Sequence, residues 1–212
     1  MGVHERKERE REQRRQDILE SARAAFLKHG LLHATMDKIA AEAELAKGTL
    51  YLYFRNRDEL LVALIAEDME ELNVQLEAVV KSRLRADNKL LRAVETFHQF
   101  ATENALFYQV MSQVNVQQLI ACGGTDNGAM EHFEGHNKQM MLLMTTILRE
   151  GVEDGVFHLD HPEEYIVLQM IMAFKGTVVI MSNRMLSPAW IQVDLRDLLL
   201  DQARLFIKGL SA

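Results

Sequence analysis

The sequence predicts an all-α fold of about nine helices, and three observations carry that expectation. Only two prolines, Pro162 and Pro188, occur in 212 residues, so few positions forbid a helix. No run shows the strict apolar/polar alternation of a half-buried strand; apolar residues return instead every three or four positions. Hydrophobic residues make up 48% of the chain, enough to fill a sizeable core at this length.

The first helix runs from about Gln13 to His29, with Ile18, Ala22, Ala25 and Phe26 on one stripe and Gly30 as its stop. The charged opening before it, ERKEREREQRR, is either a frayed extension of that helix or a mobile arm. Thr35 caps a second, short helix whose Ile39 and Ala43 face inward, with Asp37 suited to its positive end. A third short helix spans Lys47 to Phe54. Asn56 followed by Glu59 makes a variant capping box, opening a long helix through Leu61, Ile65, Met69, Leu72, Leu76 and Val79 to about Lys81. Two short helices joined by a tight turn, braced by a longer one, form a helix-turn-helix.

Five further helices are expected near 88–102, 104–121, 128–154, 163–186 and 194–208. Their punctuation is a Gly-rich loop at 122–128, Gly155 as a stop, Pro162 at the first position of the next helix, Ser187-Pro188 as a break and Gly209 closing the last helix. There is no internal repeat and no linker long enough to free one half from the other. The natural division is a DNA-binding domain over 1–60 and a larger helical domain over 61–212.

Charge divides along the same line. The net charge is −7 overall, but residues 1–60 hold 12 Lys/Arg against 11 Asp/Glu, while residues 61–212 hold 12 against 20. Between Lys47 and Arg57 there are three basic residues and no acid, so the local field is positive on an acidic molecule. This distribution speaks against a sequence-nonspecific DNA binder, which needs a basic body. The single cysteine, Cys122, excludes an intrachain disulfide. The charged N-terminus lacks the apolar stretch of a signal peptide, so a cytoplasmic location is expected. Gln169 and Lys175 interrupt the apolar run from Ile166 to Met181, which is therefore not expected to cross a membrane.

Helical geometry then selects a face. At about 100° per residue, Leu50 and Phe54 share the stripe of the third helix that must bury. The opposite side carries Gly48, Thr49 and Leu52, edged by Tyr51 and Tyr53, with Lys47 at the positive helix end. Glycine permits close backbone approach, the hydroxyl and phenols can bond phosphate oxygens, and an exposed leucine can meet a thymine methyl. Arg55 and Arg57 follow at the start of the next helix, where free backbone N–H groups also favour phosphate. Taken singly, the tyrosines would be ordinary half-buried aromatics and Lys47 or Thr49 ordinary surface residues. Grouped on a face that cannot be core, they point to DNA.

The run TMDKIAAEAELAKGTLYLYFRNRDELLVAL resembles the DNA-binding region of the TetR family of bacterial regulators. The shared pattern is a capping Thr, an Ile-Ala pair, a Lys-Gly-Thr-Leu-Tyr opening, an aromatic-Phe pair and a basic-x-basic-acidic-Glu-Leu segment, over about residues 13–65. The resemblance implies phosphate contacts from Thr35, Thr49, Tyr51, Tyr53 and Arg57, and base-edge contacts from Lys47 and Gly48. Two positions depart from the pattern: Glu44 stands where a turn glycine is usual, and Ala46 where a capping serine is common. The resemblance also implies a transcriptional repressor released from a pseudo-palindromic operator by a small, largely apolar ligand, with a ligand-binding and dimerisation domain after residue 60.

The second half is compatible with that. The helix from Glu163 to Leu186 is apolar on every side, so it needs a partner; with the last helix it is expected to form a two-fold interface through Ile171, Gly176, Val178, Leu198 and Phe206. Phe97, Phe100, Phe107, Tyr108, Met111, Met140, Met144 and Phe174 are candidates to line an apolar pocket, although methionines and aromatics also simply fill cores. His132 and His136, four apart on one helix, are the weak metal candidates; an exposed histidine pair is commoner. No cofactor is implied. No phosphate-cradling loop, nucleophile motif or His-Glu-x-x-His occurs, so no enzyme is expected.

Overall fold

The structure is a computed structural model that describes residues 3–113, 127–182 and 192–211. Among these residues there are nine helices and no strand: α1 Val3–His29, α2 Met36–Glu42, α3 Lys47–Tyr51, α4 Arg57–Val80, α5 Ala86–Glu103, α6 Ala105–Gln113, α7 Asn127–Glu153, α8 Glu163–Ser182 and α9 Leu195–Leu210. Much of the loop expected at 122–128, including Cys122, and the break at Ser187-Pro188 lie outside the described residues; Asn127 and Gly128 belong to α7. The charged opening is helical, so α1 begins ten residues before its expected start.

The chain divides into two compact units, Met1–Glu67 with Asn115–Phe133, and Asp68–Val114 with Glu134–Ala212. In the first, α1 packs on α2 and α2 on α3, around Ile18, Leu19, Ala22, Phe26, Ile39 and Leu50, all fully buried. Lys28 on α1 reaches Glu42 on α2 at 2.9 Å, tying the two helices at the surface. Gly30, at φ +80°, ends α1 by donating its N–H to Phe26 O at 2.8 Å, a left-handed stop that glycine adopts without strain.

In the second unit α9 packs against both α5 and α8, while α6 packs on α5 and α8. Val94, Val178, Leu199, Leu200 and Ala203 form its apolar centre, with Leu91, Phe97, Tyr108, Phe174 and Leu195 around it. Helix α7 closes with Gly155 at φ +68° and two bonds, Val156 N–H to Gly151 O and Gly155 N–H to Val152 O, the paired pattern of a Schellman stop. Phe157 then folds back over Gly151, where an added Cβ would lie 2.1 Å from its ring. An isolated bridge between Phe157 and Ser211 fastens the chain end there.

Two ion pairs organise this unit differently. Lys89 is buried, donating to Val80 O at 2.6 Å and to Glu150 at 2.5 Å, and so joins the ends of α4, α5 and α7. Arg196 on α9 meets Glu95 on α5 at 2.9 Å at the surface, where a pair contributes little.

By length and composition Glu163–Ser182 is apolar enough to cross a membrane despite Gln169 and Lys175. Its packing on α6 and α9 accounts for the buried side, Ile166, Val167, Met170 and Val178. Tyr165, Leu168, Met172 and Ile180 are left exposed.

Candidate nucleic-acid interface

The turn between α2 and α3 sets how α3 is presented. Thr35 caps α2, its Oγ1 accepting from Lys38 N–H at 3.3 Å, which leaves the hydroxyl proton free to donate outward. At the far end Glu44 sits at φ +53°, with Leu45 N–H on Ala40 O at 2.9 Å and Glu44 N–H on Ala41 O at 3.2 Å. That is a second Schellman stop, closed by a glutamate in the left-handed region. The position where a glycine is usual therefore keeps the glycine geometry, at a cost of roughly 1–2 kcal/mol for a side chain held there. Ala46 precedes α3 in extended backbone and offers no capping side chain, as its composition dictates.

Helix α3 is shorter than expected. It spans five residues, and Leu52 is its C-cap; Tyr53 and Phe54 N–H groups both return to Leu50 O at 3.1 Å, so Phe54 is reached through a tight turn. The predicted inner stripe holds, with Leu50 0% and Phe54 2% exposed, while Leu52 is 76% and Tyr51 44% exposed. Gly48 is exposed, Thr49 and Tyr53 half-buried. A Cβ on Gly48 would meet nothing within 4 Å, so nothing inside the protein demands glycine there.

The cations divide into two kinds. Lys47, on the rim of the face, pairs with Asp37 at 2.5 Å, and the hydrogen bond and charge of that carboxylate raise its pKa. Arg55 is exposed, its backbone N–H given to Glu59 at 2.7 Å, while Glu59 N–H goes to the Asn56 side chain at 2.8 Å. This is the expected capping box, with the glutamate reaching one residue further back. Arg57 departs from expectation. Its guanidinium donates to Leu31 O at 2.8 Å and doubly to Asp58 at 2.6 and 3.0 Å. Those partners hold the start of α4 to the turn after α1, so in this conformation the partly exposed guanidinium is engaged within the protein.

The effector candidates are less uniform. Phe100 and Phe107 are buried edge-to-face at 5.2 Å, Phe97 meets Phe107 at 6.2 Å and Phe174 meets Phe206 at 6.2 Å, which is core packing. Tyr108, Met111, Met140 and Met144 are half-buried. A cavity of about 360 Å³ between α5 and α9 is lined by Arg92, Glu95, His98, Gln99, Thr102, Glu103 and Arg196; none of the eight candidates borders it. Sequence reasoning passed over Asn73 on α4, which is 1% exposed, gives Nδ2 to His136 O at 2.9 Å and leaves Oδ1 without a partner. Because its partner is a carbonyl, the amide orientation is fixed, and an unmet buried acceptor is costly. A lone polar residue on an apolar stripe was the available signal.

Of the five dimer candidates, Val178 is corrected: it is 4% exposed and packs in the apolar centre of the second unit. Ile171, Leu198 and Phe206 are half-buried. Gly176 has open space around it, and helical spacing sets it beside the exposed Tyr165, Leu168 and Met172. Among the described residues no group of three or more His, Cys, Asp or Glu is gathered to hold a metal; His132 is exposed and His136 half-buried.

Comparison with known proteins agrees with the first unit most closely. The family described as "Bacterial regulatory proteins, tetR family" matches residues 18–64. The chain is 25% identical over 139 residues to the fatty acid metabolism regulator protein of Bacillus subtilis, covering 65% of this chain and 68% of that one. It is 29% identical over 147 residues to the transcriptional repressor KstR2 of Mycobacterium tuberculosis, covering 69% and 70%. The fold matches that of the regulator FadR from Bacillus subtilis, solved in complex with stearoyl-CoA, with a TM-score of 0.68 at 22% identity over 92% of this chain and 98% of that one. With an exposed helix held on a buried three-helix core, residues 18–64 carry the helix-turn-helix region that the tetR family model describes, and the chain is similar along about two thirds of its length to DNA-binding transcriptional regulators.

Proposed function

We propose that the protein is a cytoplasmic repressor, not an enzyme, that binds a pseudo-palindromic operator as a homodimer and is released by a small, largely apolar ligand. The observation that carries the DNA-reading half is α3 itself: Leu50 and Phe54 buried beneath Gly48, Tyr51 and Leu52 turned outward. Lys47 and Gly48 read base edges, Thr35, Thr49, Tyr51, Tyr53 and Arg55 grip phosphate and Leu52 contacts a methyl group. Arg57 serves the same face by holding α4 in place. Residues 1–60 act as the DNA-binding domain and 61–212 as the ligand-binding and dimerisation domain.

One reader of this size spans only a few base pairs, so two copies in successive major grooves supply the specificity. The stripe of Tyr165, Leu168, Met172 and Gly176, with Leu205 on α9 exposed, is the surface we assign to the partner subunit. The ligand acts by preferring one separation of the two readers over another. Its apolar character is supported by the aromatic and methionine side chains of α5, α6, α7 and α8, and by the stearoyl-CoA held by the Bacillus subtilis FadR. Asn73 Oδ1 is the acceptor we assign to a donor on that ligand.

The test is selection of duplexes from a random library by the full-length protein, followed by competition with excess unselected DNA. A selected duplex should bind at least a hundredfold more tightly than random sequence. Equal affinity for both would remove the specific-repressor reading.

A further inference from the structure

The helical extension of α1 carries a basic stripe that no internal contact uses. Lys7, Arg11 and Arg14 are exposed and have no ion pair or hydrogen bond among the described residues, whereas the acids around them are engaged. Glu8 pairs with His4 at 3.2 Å, Glu10 with Arg6 at 2.9 Å and Glu12 with Arg15 at 3.8 Å. A solvated charged helix would spread its unpaired cations round the axis. Here positions 7, 11 and 14 follow the four-then-three spacing of a single face.

That face is also oriented. Continued along the helix, it becomes Ile18, Ala22 and Ala25, each 0% exposed, on a helix that packs on α2. The three cations therefore continue the buried side of α1, but beyond the end of the core. The place where they overhang is fixed by Arg15, whose guanidinium sits 5.2 Å from the centre of the Phe54 ring, next to Tyr53 and Arg55. From Arg14 back to Val3 a helix extends roughly 16 Å at about 1.5 Å per residue, a length of about five base pairs at 3.4 Å each.

We infer that Lys7, Arg11 and Arg14 form a second DNA-contacting element, gripping backbone phosphates that flank the sequence read by α3. Charge complementarity and continuity with the α3 face select duplex DNA as the occupant. The contact carries no base preference; it adds affinity and lengthens the footprint. The inference rests on the DNA-reading function of α3.

The experiment uses the full chain and a duplex chosen by it from a random library, either trimmed to the selected core or carrying six further base pairs at each end. The variant Lys7→Gln/Arg11→Gln/Arg14→Gln keeps good helix formers in place. Its plot of log affinity against log salt should be shallower by about 2.7 per subunit on the longer duplex, at about 0.9 per phosphate, with the selected sequence unchanged. Trimming the flanks should weaken the parent protein and leave the variant unaffected. The control Arg6→Gln/Arg9→Gln removes two cations from other faces and should leave the slope within about 0.5 of the parent. An unchanged slope in the triple variant, or an equal fall per charge in the control, would overturn the arm contact while leaving α3 as the reader. Failure to select any duplex would instead strike the reading of α3, and this inference with it.

Discussion

Both α3 and α8 expose large apolar side chains, yet they do so under different constraints. On α3, Leu52 and Tyr51 stand over a stripe that is almost wholly buried within its own unit, beside Lys47 and Arg55. On α8, Tyr165, Leu168, Met172 and Ile180 lie on a helix whose inner side packs against α6 and α9, with Gln169 and Lys175 exposed among them. The mixed face suits a polyanion with apolar methyl groups in its groove. The nearly uniform face suits an apolar surface, and a second copy of the same helix provides one.

The largest effect expected from breaking this contrast is Met172→Glu. Burying an unpaired carboxylate on the α8 stripe should give a monomer by light scattering and lower affinity for a selected duplex by at least a hundredfold, with the helical spectrum retained. A dimer of normal affinity would show that α8 is not the partner face. Next is Gly151→Ala, which forces a Cβ against the Phe157 ring and should cost about 1–3 kcal/mol in denaturant unfolding, without changing base preference. The reading face should respond oppositely: Tyr51→Phe removes one neutral phosphate bond, so affinity should fall about fivefold, for about 1 kcal/mol, with the melting temperature unchanged.

Smaller again are the two turn substitutions. Glu44→Gly relieves a left-handed side chain and Ala46→Ser restores a cap, each expected to stabilise by about 1 kcal/mol in thermal unfolding. If Glu44→Gly destabilises, that side chain makes a contact worth more than its strain. The smallest effect concerns Glu163, which its own backbone N–H at the start of α8, followed by Arg149 at 3.3 Å, holds below the usual carboxylate range. A depressed folded pKa stabilises above the ordinary carboxylate pKa and loses that benefit as pH falls through the folded value. The melting-temperature gap between the parent and Glu163→Gln should therefore be widest near neutral pH and close under acid.

Much of the first unit was legible because its signals are local. Thr35, Gly30, Asn56 and Glu59 act within four residues of themselves, and the alternation of Leu50 and Phe54 with Leu52 needs only helical spacing. What stayed hidden depends on distant partners. Spacing alone did not reveal that Arg57 also donates a hydrogen bond to Leu31 O, 26 positions earlier. Val178 looked like an interface residue until α9 supplied Leu199 and Leu200 to bury it. The apolar period of α8 is nearly the same all round, so spacing alone could not tell which side belongs to its own core.

The most direct test of the central claim is Gly48→Ala, measured for stability and for DNA binding in parallel. Nothing in the protein lies within 4 Å of the added carbon, and replacing a helical glycine by alanine should raise the melting temperature by about 2–3 °C. If α3 is the surface that meets DNA at close approach, affinity for a selected duplex should fall at least tenfold in the same variant. A more stable protein that binds its duplex as tightly as before would contradict the account.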